Sequence, residues 1–406
     1  MATKSHWKIN IAMLWFSQLL IMAGYSAMVP FISLFIKNEL GVTVQADLAK
    51  YISAFSFFGT LGYVIFCPIW GMLGDRFGIK PMLLRGTFVT APIFALMGYV
   101  KSPEMLIFLR FITASCAGTT AASNIMVVRT TPENRQGFAL GLLSTAIWGG
   151  AMLGNFIGGL IIHKYTYLHA FWLCGVMYFI AGFAVIFTND DMEKNSMLKK
   201  AVDTAAKSWR TNFTLPIWLM LLLFLLLGLI RSIETPYLAL RVEEMTSKEE
   251  AEYWTGIISA IVCIGAIIAG ASAGTLADRY PPIVLICPIF IVSIIAMTMQ
   301  SFGNSPIYFA ACRTLLYVAA GGIQPVIQRT LSTITPKERR GTVFGASSSI
   351  SSVGTMLAAV IGGICYATIG IRGTFLTAAA SYLIAFPIYF IIIRILTRPR
   401  FQTTPC

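Results

Sequence analysis

Gly71-Met72-Leu73-Gly74-Asp75-Arg76 closes one long apolar run, and Gly274-Thr275-Leu276-Ala277-Asp278-Arg279 closes another 203 residues later (274 − 71 = 203). Other matches keep nearly the same spacing. Arg110 returns as Arg313, Pro132-Glu133-Asn134-Arg135-Gln136-Gly137 as Pro336-Lys337-Glu338-Arg339-Arg340-Gly341, Gly158-Gly159 as Gly362-Gly363, and Phe171 as Phe375. In a Gly-rich apolar chain any single match is weak. Several in one order, across different kinds of segment, mark an internal duplication. A duplicated membrane chain of this kind is expected to form two similar bundles related by an axis along the membrane normal, with a substrate site near the midplane.

The chain around these motifs belongs in lipid. Of 406 residues 57% are hydrophobic and only 12% charged, about half the charged fraction of a soluble domain; the mean hydropathy is +0.76. A spanning helix needs about 20 largely apolar residues. Such runs lie near 9–36, 49–73, 81–100, 104–128, 138–162 and 169–187, and again near 214–240, 254–277, 283–302, 306–330, 342–365 and 374–396. The fold class read from them is an all-α membrane protein of twelve transmembrane helices. It has an N-terminal six-helix bundle over 1–187, a cytoplasmic linker over 188–213 and a C-terminal six-helix bundle over 214–406.

Lys and Arg placement sets the orientation, since basic loops stay in the cytoplasm. Arg76, Lys80, Arg129, Arg135, Lys199, Lys200, Arg339 and Arg340 all fall on one side if both termini are cytoplasmic. Lys4 and Lys8 precede an apolar stretch too long for a signal-peptide core, so this start reads as the first span. The net charge of +13 is scattered between apolar runs, not gathered on one stretch as nucleic-acid binding requires. The eight cysteines form no C-x-x-C pair, so neither a disulfide framework nor a metal site is expected. His6, His163 and His169 are scattered, and no phosphate-binding loop occurs. Enzymatic chemistry, a metal, a cofactor and ATP as energy source are therefore not expected.

Extended to Gly71-Met72-Leu73-Gly74-Asp75-Arg76-Phe77-Gly78-Ile79-Lys80, the loop after the second span resembles the signature loop of the major facilitator superfamily. The resemblance covers essentially the whole chain. It is nearest to the bacterial twelve-span multidrug efflux branch, with Leu109-Arg110 and Ala139-Leu140-Gly141 falling where that branch has its own motifs. The resemblance implies that Gly71, Asp75, Arg76, Gly78 and Lys80 form a latch that holds one access state. The second copy has Pro281 where the first has Gly78. Gly150, Gly154, Gly158 and Gly159 give span five a flat ridge for close helix packing. They also resemble the antiporter motif of efflux members, except that Asn155 stands in place of a proline.

Ionisable groups at bilayer depth cost about 2.5–3.5 kcal/mol or more and call for a function. Arg85 is near enough to the cytoplasmic face to snorkel. By the family resemblance Arg110 and Arg313 line the cavity. Helical spacing puts Arg110 with Thr113, Ala117, Thr120 and Asn124, and Arg313 with Tyr317, Gly321, Gln324 and Gln328. Glu234 is the one acid in the interior of a span on these boundaries, Glu104 standing only at the first position of another, and Arg231 three residues earlier is placed to pair with it. Coupling candidates are therefore Glu234, Arg231 and Arg110. Glu234 could instead sit in an outer-gate ion pair or hydrated in the outer mouth. Substrate-cavity candidates are Tyr25, Met28, Asn124, Tyr237, Arg313, Tyr317, Gln324 and Gln328. Aromatic and Met surfaces tolerate many apolar shapes.

The function expected is export of hydrophobic or amphipathic drugs by proton antiport through alternating access. The alternative is a carrier for one small metabolite, a sugar or organic anion. A nontransporting sensor or channel fits the duplication less well. The expected setting is the bacterial cytoplasmic membrane, the expected state a monomer, and the expected partners a small-molecule substrate, protons and lipid.

Overall fold

Thirty-three residues, Gln45–Phe77, run as one helix, about 50 Å long at 1.5 Å per residue. That exceeds the roughly 30 Å hydrocarbon core of a bilayer, so the apolar run near 49–73 carries polar turns at both ends. The computed structural model describes residues 6–132, 135–189, 215–335 and 340–396. The side chains of His6, Asp75 and Pro325, and those of residues 270–279 and 340–342, lie outside what it describes, as does the connector from residue 190 to 214.

Among the described residues, ten stretches are long and apolar enough to cross a membrane. The stretch Arg340–Leu396 is two spans, separated at Gly370 by φ 74° and ψ −174°, a region essentially reserved for glycine. Pro306–Ala320 with Ile323–Ile334 supplies the remaining span. The fold is thus twelve-span and all-helical. Large apolar side chains such as Phe183, Ile295, Leu383 and Ile384 stand half exposed. Lipid is the solvent that makes that acceptable.

Among the described residues, spans one, four, seven and ten are broken at corresponding places in the two halves. Span one runs His6–Met28, turns through Val29–Phe31 at Pro30, and resumes as Ile32–Asn38. Span seven runs Leu215–Ile230, unwinds, turns through Thr235–Tyr237 at Pro236, and resumes as Leu238–Met245. Proline has no N–H to donate and fixes φ, so a helix entering it must give way. Span four is Pro103–Ser115 and Thr119–Thr130, with Gly118 at φ 114° between them. Span ten breaks at Gly321-Gly322. Discontinuous helices leave backbone polar groups that pack stably only where they line a cavity or meet protein.

Packing divides the chain into two compact units. One takes the described residues of Met1–Thr43, Ala54–Val202 and Ser247–Cys263; the other those of Val44–Ser53, Asp203–Thr246 and Ile264–Cys406. In the first, span five (Gln136–Lys164) lies along span one. Methyl groups at Gly150, Gly154 and Gly158 would collide with the carbonyl oxygens of Leu19, Ala23 and Ala27. Each residue set advances by four, so one turn of glycine meets one turn of bare backbone. The second unit repeats this between spans eleven and seven: Gly354 meets Leu225, and a methyl at Gly362 would reach the Ile233 oxygen at 2.5 Å.

Two short segments pack away from their own half of the sequence. The opening turns of span eight (Ala251–Arg279) lie on span five, where a methyl at Gly159 would sit 2.8 Å from the Glu252 oxygen and 2.9 Å from the Gly256 Cα. In the other unit Ser53 shares a 2.9 Å hydrogen bond with the Tyr237 hydroxyl and leaves no room for a side chain at Gly363.

Candidate functional site

The break in span four places Arg110 in a cavity of about 330 Å³ within the first unit. Spans one, two, three, four and six contribute Tyr25, Tyr63, Thr90, Phe94, Thr120 and Tyr178 to its wall. Arg110 Nη2 donates to the Tyr25 hydroxyl at 2.8 Å, and the guanidinium carbon lies 5.2 Å from the Tyr25 ring and 5.3 Å from that of Phe55. These ring faces offset part of the cost of desolvating the cation. The Arg110 Nε is buried without a hydrogen-bond partner. Thr113, Ala117 and Thr120 line the same cavity. Asn124 does not: it is exposed, because the left-handed step at Gly118 resets the helical register between it and Arg110. Below the cavity Gln18 is held by Thr120 at 3.1 Å and holds Ser123 at 3.0 Å.

In the second unit Arg313 is fully enclosed. Its Nη1 lies 3.4 Å from Glu234 Oε1 and 3.2 Å from Gln300 Oε1, and the rings of Phe309 and Tyr317 flank it. Glu234 is 3% exposed, and its Oε2 has no partner. It borders a space of about 10 Å³ shared with Arg231, Tyr317, Gly321 and Tyr382, close to the smallest that admits one water. The expected Arg231–Glu234 pair is not formed. Residues 231–234 are unwound, so helical spacing no longer applies, and Arg231 Nη1 instead donates to Gln324 at 3.1 Å. Burial also removes the hydrated outer-mouth alternative for Glu234.

The remaining candidates scatter. Met28 is buried in packing and lines neither cavity. Tyr237 is fully buried, bonded to Ser53 and packed 5.0 Å from the Tyr366 ring. Gln324 is exposed at its bond to Arg231, and Gln328 is half-buried outside the Glu234 pocket. In the loop after span two, Gly78 takes φ 96° and ψ 157°, a conformation that costs other residues about 1–3 kcal/mol. Lys80 donates to the Ile186 and Thr188 carbonyls at 2.6 and 2.7 Å, capping the end of span six, where the helix dipole favours a cation. Arg76 is exposed beside the Phe77 ring. Gly71, the first residue of the expected latch, does not mark the end of its helix. It lies inside the helix instead, with open space where its Cβ would be, since the helix runs on to Phe77. The Asp75 side chain lies outside the described residues.

Spacing alone missed several groups. Arg85 does not snorkel: it stacks 3.4 Å over the Trp70 ring, with Nε and Nη1 buried and unpartnered. Glu252 is buried and accepts from the Tyr167 hydroxyl at 2.5 Å. Arg241 is fully buried, bound to Glu244 and to the carbonyls of Ser301 and Gly303. Asn155 is buried, with its amide 3.7 Å from the Cys263 sulfur. Span boundaries drawn a few residues short had put Glu252 and Arg241 in loops.

The family model described as Major Facilitator Superfamily matches residues 14–307 and 254–405. Among characterised relatives, the multi-drug resistance efflux pump PmrA of Streptococcus pneumoniae serotype 4 is 29% identical, over 97% of this chain and 98% of its own. The multidrug resistance protein MdtG of Dickeya zeae is 28% identical over 93% of each. Among solved structures, a bacterial homologue of the human lysosomal transporter Spinster, inward-facing and unoccupied, superposes with a TM-score of 0.78 at 14% identity over all of both chains. The nucleoside transporter NupG gives 0.79 at 11% identity, covering 96% of this chain and 100% of its own.

Proposed function

We propose, from the premise that this chain belongs to the Major Facilitator Superfamily, that it exports hydrophobic and amphipathic drugs by alternating access coupled to proton antiport. Relatives of similar length named for multidrug resistance and efflux support the substrate class. Support for coupling rests on one observation: the enclosed Glu234–Arg313 pair at the break of span seven, with one carboxylate oxygen unpartnered.

A proton placed on Glu234 removes the charge that Arg313 faces. Arg313 must then find its compensation in Gln300 and the flanking rings alone. The two protonation states thus favour different packings of a span that is already broken. Alternating access needs that kind of two-state element. The latch role of Asp75 and Arg76 belongs to the same reading, with Lys80 engaged on span six rather than free to switch. The chain works as a monomer with both termini cytoplasmic, in the bacterial cytoplasmic membrane.

The test uses inside-out vesicles and the neutral dye Nile red. Glu234→Gln keeps shape and an acceptor oxygen for Arg313 but cannot cycle a proton. It is expected to abolish pH-gradient-driven dye transport while leaving dye binding intact. Transport at the wild-type rate by this variant would remove Glu234 from the coupling machinery.

A further inference from the structure

We infer that the cavity around Arg110 selects amphipathic anions, a carboxylate or comparable acid on an aromatic body, over cations of the same shape. This deepens the export reading and rests on it only in taking the cavity as the ligand site.

Charge distinguishes Arg110 from Arg313. Arg313 is compensated by Glu234 at 3.4 Å, whereas no carboxylate among the described residues pairs with Arg110. No aspartate or glutamate lines the 330 Å³ space. A cationic drug entering it would lose its water, gain no counter-charge and face a guanidinium. An anion reverses each of those terms, and hydrogen bonds to charged groups are the strong ones.

Geometry then says where the acid would dock. Tyr25 occupies one terminal nitrogen of Arg110, and the Tyr25 and Phe55 rings hold the guanidinium from its sides. The Nε edge lies against Gly59, a lining residue, where a methyl group would come within 2.6 Å of that nitrogen. Glycine at 59 therefore lets the chain pack directly over the buried Nε edge, and the acid docks at the other terminal nitrogen, Nη1, which neither Tyr25 nor Gly59 occupies. The rest of the wall supplies what an aromatic body needs. Tyr63, Phe94 and Tyr178 offer ring surface, and Thr60, Thr90 and Thr113 offer hydroxyls. The volume is that of a small-ligand pocket.

The experiment compares three probes of one shape on the purified chain in uncharged detergent: 1-naphthylacetate, neutral 1-naphthylacetamide and cationic 2-(1-naphthyl)ethylamine. Wild type is expected to bind the carboxylate about tenfold or more tightly than the amine, with the amide between. Arg110→Gln is expected to erase the order while leaving amide affinity within about twofold, since the amide draws little on ionic attraction. Gly59→Ala, which keeps the charge but pushes the guanidinium off its present position, should weaken the carboxylate more than the amide. Equal binding of acid and amine by wild type would overturn the inference even if no variant folds. So would an equal loss of all three probes in a folded Arg110→Gln. Because binding is read without a gradient, a failure of drug export in cells leaves this result standing. A failure here leaves Nile red export untouched.

Discussion

Arg313→Met is expected to lower the stability of the protein by about 3–5 kcal/mol, the usual cost of breaking a buried ion pair from one side. The arginine is 2% exposed and Glu234 is 3% exposed, so neither charge can turn to water when the other is removed. Deleting the guanidinium leaves a carboxylate whose Oε2 already lacks a partner and whose Oε1 then loses its own. It also orphans the Gln300 carbonyl at 3.2 Å. Methionine fills much of the volume, so a cavity is not the main cause. The signature is the second variant: Arg313→Met with Glu234→Gln should recover most of the loss, because a neutral amide is cheaper to bury than an unpaired charge. Thermal unfolding in detergent reads both. An Arg313→Met protein as stable as wild type would show that the pair is open to water. A double variant no better than the single would show that packing, not charge, sets the cost.

The second large effect belongs to Gly159→Val. Span five and the first turns of span eight meet there with almost nothing between their backbones: the Gly256 Cα lies 2.9 Å from where a Cβ would be, and the Glu252 oxygen 2.8 Å. Two backbones have no flexible end to move aside. Overpacking such a contact costs about 1–3 kcal/mol. Spread over a two-state equilibrium, that changes populations by roughly five- to 150-fold. The expected result is a well-inserted protein that exports Nile red at least tenfold more slowly, because the arrangement in which these helices touch is rarely reached. Cys263 provides an internal reporter. It is buried with its sulfur 3.7 Å from the Asn155 amide, and parting the helices exposes it. Peptide-level mass spectrometry should find faster maleimide labelling of Cys263 in the variant. Wild-type transport with unchanged labelling would mean that this contact plays no part in the cycle.

The spans and the duplication were legible in the sequence because they are regional averages. A run of 20 apolar residues, or a motif repeated about 200 residues on, survives errors of a few positions. The site was harder, for two physical reasons. Its decisive contacts are non-local: Tyr25 and Arg110 are 85 residues apart, and Glu234 and Arg313 are 79 apart. No helical spacing announces either one. Reading the broken spans as continuous also misplaced side chains. Gly118 turns Asn124 away from Arg110, and the unwound turn before Pro236 separates Arg231 from Glu234. The sequence did offer a signal for both. Gly118 follows three small residues in Ser115-Cys116-Ala117, and Pro236 sits inside an apolar run; glycine and proline are the strongest local punctuators of regular structure. Arg110 with Thr113, Ala117 and Thr120 was readable because those three follow it within three turns.

The central claim is that this duplicated bundle moves amphipathic solutes out of the cell at the expense of a proton gradient. Nile red accumulation in an efflux-deficient bacterial host bears on it most directly, measured with the chain expressed and again after adding a protonophore. The account predicts low accumulation that climbs to the empty-vector level once the gradient collapses, and empty-vector accumulation throughout for Glu234→Gln. Accumulation indistinguishable from the empty vector, with the wild-type protein present in the membrane at normal amount, would contradict it.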